Sequence, residues 1–234
     1  MRYLFVALLL ISCGRREGVV RIAQCPYRPG DTAAEWPAHV QSDYIYTYYI
    51  SPDSILRMDD TVMATYRTVV TQSVKNASLT TTLFARMLHP AYVIGRTTRT
   101  VYTFPISDDT LLRRQLPLAE ATFELFYRVT DSNALDVTHL EKTPTVTIAG
   151  KPCIKGEGIS KDSARITFFF TKEATGIESP LNRFVRDFPY EVMSIKFPVP
   201  WTMPDGSMST GSVVFQVTDI RDTTLDNALF TIRK

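Results

Sequence analysis

Cys153-Ile154-Lys155-Gly156-Glu157-Gly158, the polar turn Ser160-Lys161-Asp162-Ser163, and Arg165-Ile166-Thr167-Phe168-Phe169-Phe170-Thr171 read together as a β-hairpin. Runs of β-branched and aromatic residues flank a cluster of turn formers, the pattern of two antiparallel strands and a short connection. Strand side chains alternate between faces, so Ile166, Phe168 and Phe170 share one face and Phe169 points to the other. Gly156 and Gly158 open like a dinucleotide fingerprint but lack its third glycine and its helix. Inside a strand they mark a bulge or a close approach to the backbone.

Working outward, the same texture recurs. Downstream, Thr175 to Asp187 holds a short helix with Leu181, Phe184 and Val185 at helical spacing. Tyr190 to Phe197 alternates as a strand, Pro204-Asp205-Gly206 turns, Gly211 to Ile220 is a strand, and Leu225 to Ile232 closes the chain. Upstream, Thr143 to Ile148 is a strand leading into the turn Ala149-Gly150-Lys151-Pro152, and Thr122 to Val129 is another. Asp108 to Leu116 reads as a capped helix ended by Pro117, and Ala91 to Phe104 as one long strand between prolines. Leu79 to Leu88 leans towards helix through Leu79, Leu83 and Met87, against its three consecutive threonines. Thr61 to Val70 and the tyrosine-rich Asp43 to Ile50 are strands by composition. The sum is an all-β chain with a few short helices, an antiparallel open or half β-barrel.

The N-terminal stretch has a different character. Arg2, an uncharged apolar run from Tyr3 to Ile11, and Ser12 before Cys13 follow the order of a secretory signal. The run falls well short of the ~20 residues of a transmembrane helix. Residues 14–40 carry Gly14, Gly18, Pro26, Pro29, Gly30 and Pro37 with no sustained period, which reads as a tether and loop. The expected organisation is a signal peptide over 1–12, an acylated cysteine and tether over 13–40, and one β-barrel-like domain over 41–234.

Leu10-Ile11-Ser12-Cys13 resembles the bacterial lipobox, whose pattern is aliphatic, tolerant, small, cysteine. The resemblance implies lipidation of Cys13 and an exported, membrane-anchored protein held at the outer membrane, on its periplasmic or surface face. Two acyl chains suffice for stable anchoring. The remaining cysteines, Cys25 and Cys153, meet an oxidising compartment, where they either pair or stay as separate thiols.

Charge excludes one class of function. The 26 basic and 24 acidic residues nearly cancel, without the concentrated basic excess of a nucleic-acid binder. No Gly-x-Ser-x-Gly elbow is present, and His39, His89 and His139 have no second ligand at metal spacing. Asp59-Asp60 and Asp108-Asp109 lack the run of a calcium loop. No catalytic residue, metal or cofactor is expected.

Aromatic residues are the sharper signal. Tyr44, Tyr46 and Tyr48 form one stripe, and Ile166, Phe168 and Phe170 another. Both suit a packed core, or the concave apolar lining of a ligand cavity.

Ile148-Ala149-Gly150-Lys151-Pro152-Cys153-Ile154-Lys155, followed by Ile166 to Glu173, is similar to the exported GLPGLI-type proteins of Bacteroidota. Gly150, Cys153, Lys155, Phe170, Thr171 and Lys172 match that family's pattern in order, and Phe188-Pro189-Tyr190-Glu191-Val192 stands at its next landmark. The close, Leu225 to Ile232, resembles the ending of outer-membrane lipoprotein carrier-like folds. The match covers about the last third of the chain. It implies a curved antiparallel half-barrel with helices at one mouth and a hydrophobic concave face. Two functions remain open. One is a lipid-anchored envelope protein holding a hydrophobic or lipid-like ligand, with the two stripes as lining. The other is a non-catalytic interaction or structural subunit with a packed interior, serving an outer-membrane protein partner.

Overall fold

The computed structural model describes residues 17–30, 36, 44–59, 65–74, 77–86, 91–103, 115–121, 124–130, 134–203 and 205–230, with the backbone alone for 65–74 and 77–86, Tyr44 and Asp59. The expected signal peptide, Cys13 and nearly all of the helix expected at 108–116 lie outside these residues.

The described chain forms fourteen strands: β1 (Gly18–Tyr27), β2 (Tyr44–Ile50), β3 (Ser54–Asp59), β4 (Thr65–Val74), β5 (Ala77–Arg86), β6 (Tyr92–Gly95), β7 (Thr100–Thr103), β8 (Gln115–Pro117), β9 (Asp136–Leu140), β10 (Val146–Ile148), β11 (Lys151–Ile159), β12 (Arg165–Thr171), β13 (Glu191–Thr202) and β14 (Met208–Asp222). The helices among them are short 3-10 turns at Leu118–Glu120, Pro180–Phe184 and Asn227–Phe230. A 12-stranded sheet runs in the order β10-β11-β12-β13-β14-β1-β2-β3-β6-β7-β8, with β9 also paired to β11. Its strand pairings are all antiparallel, and β10 and β8 end the path without meeting. The expected all-β open architecture is the observed one. Hairpin β4–β5 forms a separate two-stranded sheet.

Several expectations change. The tether expected over 13–40 contains β1, which pairs with β14 on one side and β2 on the other. Val19, Val20, Ile22, Ala23 and Cys25 are buried, so this strand is apolar on both faces and shows no alternation to betray it. Of the helix expected over Leu79 to Leu88, residues 79–86 belong to strand β5, the threonines outweighing the helical spacing, and 87–88 lie outside the described residues. The strand expected over 91–104 breaks into β6 and β7 at a turn where Arg99 takes a φ of 54°.

The strand expected over 122–129 is instead an irregular segment from Glu124 onward, and it fills the core. Phe126 meets the rings of Tyr46, Tyr48, Phe184 and Phe215 at centroid distances of 6.2, 5.7, 5.7 and 5.3 Å. These edge-to-face contacts favour aromatic packing beyond simple area burial. The turn Pro180–Phe184 adds fully buried Leu181, with Ser179 capping it by accepting from the Leu181 amide.

Gly156 shows why a glycine sits inside β11. It pairs directly with Phe168 of β12, and a Cβ there would lie 2.5 Å from the ring. The Phe168 side chain occupies the space a side chain at 156 would need. At Gly158 the pairing of β11 with β9 shifts register, so the bulge and the close approach are both realised.

Candidate functional site

The two faces of the sheet carry different chemistry. On the inner face, Tyr46, Tyr48, Ile166, Phe168 and Phe170, five of the six residues expected to line a cavity, belong to one buried cluster. The side chain of Tyr44 lies outside the description. Phe168 and Phe170 pack on Phe188 at 5.4 and 5.0 Å, and Phe170 stacks on Tyr190. Tyr48 packs on Phe126 and Tyr127. The structure thus places the stripes against other side chains.

The tyrosine stripe also holds a charge. Arg57 of β3 stands opposite Tyr48 in the strand register, and its guanidinium lies 4.3 Å from the Tyr46 ring centroid. It donates to the Tyr92 hydroxyl, which donates in turn to Glu124. Arg57 and Glu124 are 3.6 Å apart and almost fully buried. The other Glu124 oxygen accepts from the amides of Phe126 and Tyr127 at 2.8 and 3.0 Å. Removing either ion from such a place leaves an uncompensated buried charge. Burial first, and then the nearby Glu124 carboxylate, raise the hydroxyl pKa of Tyr48 and of Tyr92 far above the ordinary value. The Tyr48 hydroxyl has no hydrogen-bond partner among the described residues. This cluster ties the 124–127 segment to β3 and β6.

The outer face carries a cleft of about 600 Å³ across β11 to β14, within the size range of small-ligand sites. Phe169 and Thr167, which alternate with the inner-face residues of β12, form part of its lining. Trp36 meets Phe169 edge-on at 4.9 Å and donates from Nε1 to Ser194 Oγ at 2.9 Å. Arg28, Lys155, Arg165 and Lys196 also line it, and among the described residues no acidic side chain does. Lys196 Nζ lies 5.7 Å from the Trp36 ring centroid, and Lys155 reaches Glu157 at 3.3 Å. Gly211 keeps this end tight, since a Cβ there would come 2.6 Å from the Tyr27 carbonyl and 3.2 Å from Trp201.

A second cleft of about 460 Å³ is lined by residues 171–178 and 189–191. Burial pushes the Glu191 carboxyl up to about 7, although its Oε2 accepts from the Ser179 amide at 2.7 Å. Asn182 Oδ1 accepts from the Val192 amide at 2.7 Å, fastening the same turn to β13.

Cys25 on β1 and Cys153 on β11 are both buried, and no disulfide joins them. The sheet order puts four strand spacings between them, roughly 19 Å at ~4.8 Å each, against the ~7 Å limit for a bridge. Desolvation pushes the Cys153 thiol up to about 11. His139 lies on exposed β9, and His39 and His89 are outside the described residues. Among the described residues no group of His, Cys, Asp and Glu is placed to hold a metal, and no helix is long and apolar enough to cross a membrane.

Sequence reasoning passed over Arg57, Glu124, Trp36, Lys196 and Glu191. Arg57 had a signal, because Ile55 and Arg57 alternate on one face of a β-branched and aliphatic run. Lys196 had one too, as a polar position in the alternating 190–197 strand. Trp36 had none, since its partner Phe169 is distant in sequence.

Comparison of the chain with family models, curated proteins and solved structures finds no match.

Proposed function

We propose that this chain is a lipid-anchored protein of the bacterial cell envelope that works by binding, without catalysis, through the outer face of its sheet. The observation that supports this over a carrier of hydrophobic ligands is the filling of the inner face by Phe126, Leu181, Phe184 and Phe188. The envelope address rests on the lipobox-like Leu10-Ile11-Ser12-Cys13 and on the likeness of residues 148–173 to exported GLPGLI-type proteins. An outer-membrane protein or a wall component is the kind of partner this address offers.

Acylation at Cys13 also orients the domain. Residues 14–17 alone separate the anchor from Gly18, a reach of at most ~18 Å. The sheet end holding Gly18 and its partner Asp222 then faces the headgroups. Tyr27 and its partner Ser212 lie about 30 Å further out, at ~3.3 Å per strand residue. The outer-face cleft, which includes Ser212, is therefore presented away from the anchoring membrane.

Native mass spectrometry of the full-length gene product, extracted from bacterial membranes in detergent, tests the proposal. The expected spectrum shows a chain beginning at acylated Cys13 with nothing else bound. An additional lipid retained in stoichiometric amount establishes the carrier reading instead. A mature chain beginning elsewhere removes the anchor.

A further inference from the structure

We infer that the outer-face cleft is a binding site for an anionic saccharide, a sugar bearing carboxylate or phosphate groups. The inference deepens the binding reading above and rests on it. Three observations carry it. First, the cleft lining brings together Arg28, Lys155, Arg165 and Lys196, with no acidic residue among the described lining residues. Second, two of these cations are uncommitted to carboxylates among the described residues, Arg165 being exposed without an ion pair and Lys196 facing the Trp36 ring, whereas Lys155, opposite Phe169 in the register, pairs with Glu157. Third, the lining also carries the hydroxyls of Thr167, Thr210 and Ser212 and the Trp36 ring seated on Phe169, beside Gly30, Pro198 and Gly211.

Each part meets a different part of such a ligand. Guanidinium and ammonium groups make their strongest hydrogen bonds to carboxylate and phosphate oxygens, and Arg165 offers a planar fork for two at once. Threonine and serine hydroxyls both donate and accept, as sugar hydroxyls require. The half-buried Trp36 ring, seated on Phe169, gives the apolar C–H edges of a sugar a surface to cover. A purely apolar ligand would desolvate the cations without compensation, and a neutral sugar would leave them unused. An extended acidic peptide would use an open sheet edge, whereas this cleft lies across the face of four internal strands.

The ligand has two sources, a soluble saccharide acid or an insoluble wall polymer, and the orientation of the cleft away from the anchor admits both. The full-length protein in detergent is titrated calorimetrically with trigalacturonic acid and glucose 6-phosphate, with maltotriose and glucose as neutral counterparts. Sedimentation with purified peptidoglycan sacculi forms the second arm. Binding is expected for at least one anionic probe and for neither neutral one, weakening with added salt. Arg165→Ala and Lys196→Ala are each expected to weaken it by about tenfold or more, with the melting temperature unchanged. Arg186→Ala, whose guanidinium pairs with Asp136 outside the cleft, is expected to bind as the parent does.

Binding of soluble acids alone assigns a free ligand, and co-sedimentation that depends on Arg165 assigns the wall polymer. The inference is overturned if no anionic probe or sacculus binds, or if Arg165→Ala and Arg165→Gln both bind undiminished. A lipid retained in the mass spectrum would defeat the packed-interior reading while leaving this titration to stand or fall by itself.

Discussion

Strand β12 belongs to two environments at once. Ile166, Phe168 and Phe170 point into a core closed by aromatic rings, whereas Arg165, Thr167 and Phe169, the last buried beneath Trp36, line a cleft among cations on the other face. The inner face is filled from a distance in sequence, by 124–127 and 180–188, and it also buries an Arg57–Tyr92–Glu124 cluster. On the outer face Trp36 lies on Phe169 and Ser194, and the cleft beside it is lined by cations. What alternation along a strand supplies is therefore two distinct surfaces, and their roles are decided by which segments lie down on them.

The contrast is sharpest where charge is buried. Glu124→Ala leaves Arg57 uncompensated in the core, and a loss of about 3–5 kcal/mol in chemical denaturation is expected. A loss under about 1 kcal/mol would mean that the inner face is open to water at this point. Gly156→Ala comes next, forcing a methyl group against the Phe168 ring, with an expected cost of about 1–3 kcal/mol. A neutral result would show slack around Phe168.

Glu191 gives the comparison a pH dependence. Its carboxyl is pushed up to about 7 in the folded chain from an ordinary 4.5, so the folded state holds the proton more tightly than the unfolded one. Its contribution is thus fully present below about pH 4.5 and is lost as pH rises through about 7. Thermal melts across that window should show the parent losing stability relative to Glu191→Gln as pH rises. Parallel profiles would place Glu191 in water. The smallest effect is expected on the outer face, where Arg165→Ala should shift stability by no more than about 0.5 kcal/mol. A larger loss would make the cleft a structural element instead of an open surface.

Much of this division is legible in the sequence. The hairpin β11–β12 and strands β13 and β14 announce themselves through turn residues and alternation, and the glycine pair at 156 and 158 correctly signals close approach and a bulge. β1 does not, because a central strand buried on both sides has no polar face to set a period, and its glycine and proline read as loop. The segment from Glu124 fails in the opposite way. Its Phe126 and Tyr127 have strand-like composition but leave the ladder, since their rings are held by tertiary contacts with β2 and β14.

The site was half legible for the same reason. Composition identified the Tyr46, Tyr48, Phe168 and Phe170 stripes as apolar surfaces, and only the packing of distant segments shows that they are filled. The outer-face cations are spread over 28, 155, 165 and 196, so no local charge run marks them, and the sheet order alone assembles them.

Xenon settles in dry apolar cavities large enough to hold it, so a crystal of the protein pressurised with the gas tests most directly whether the inner face is filled. The expected map shows no xenon site bounded by Tyr46, Tyr48, Ile166, Phe168 and Phe170. Ordered xenon among those side chains would contradict the packed interior and return the ligand to the inside of the half-barrel.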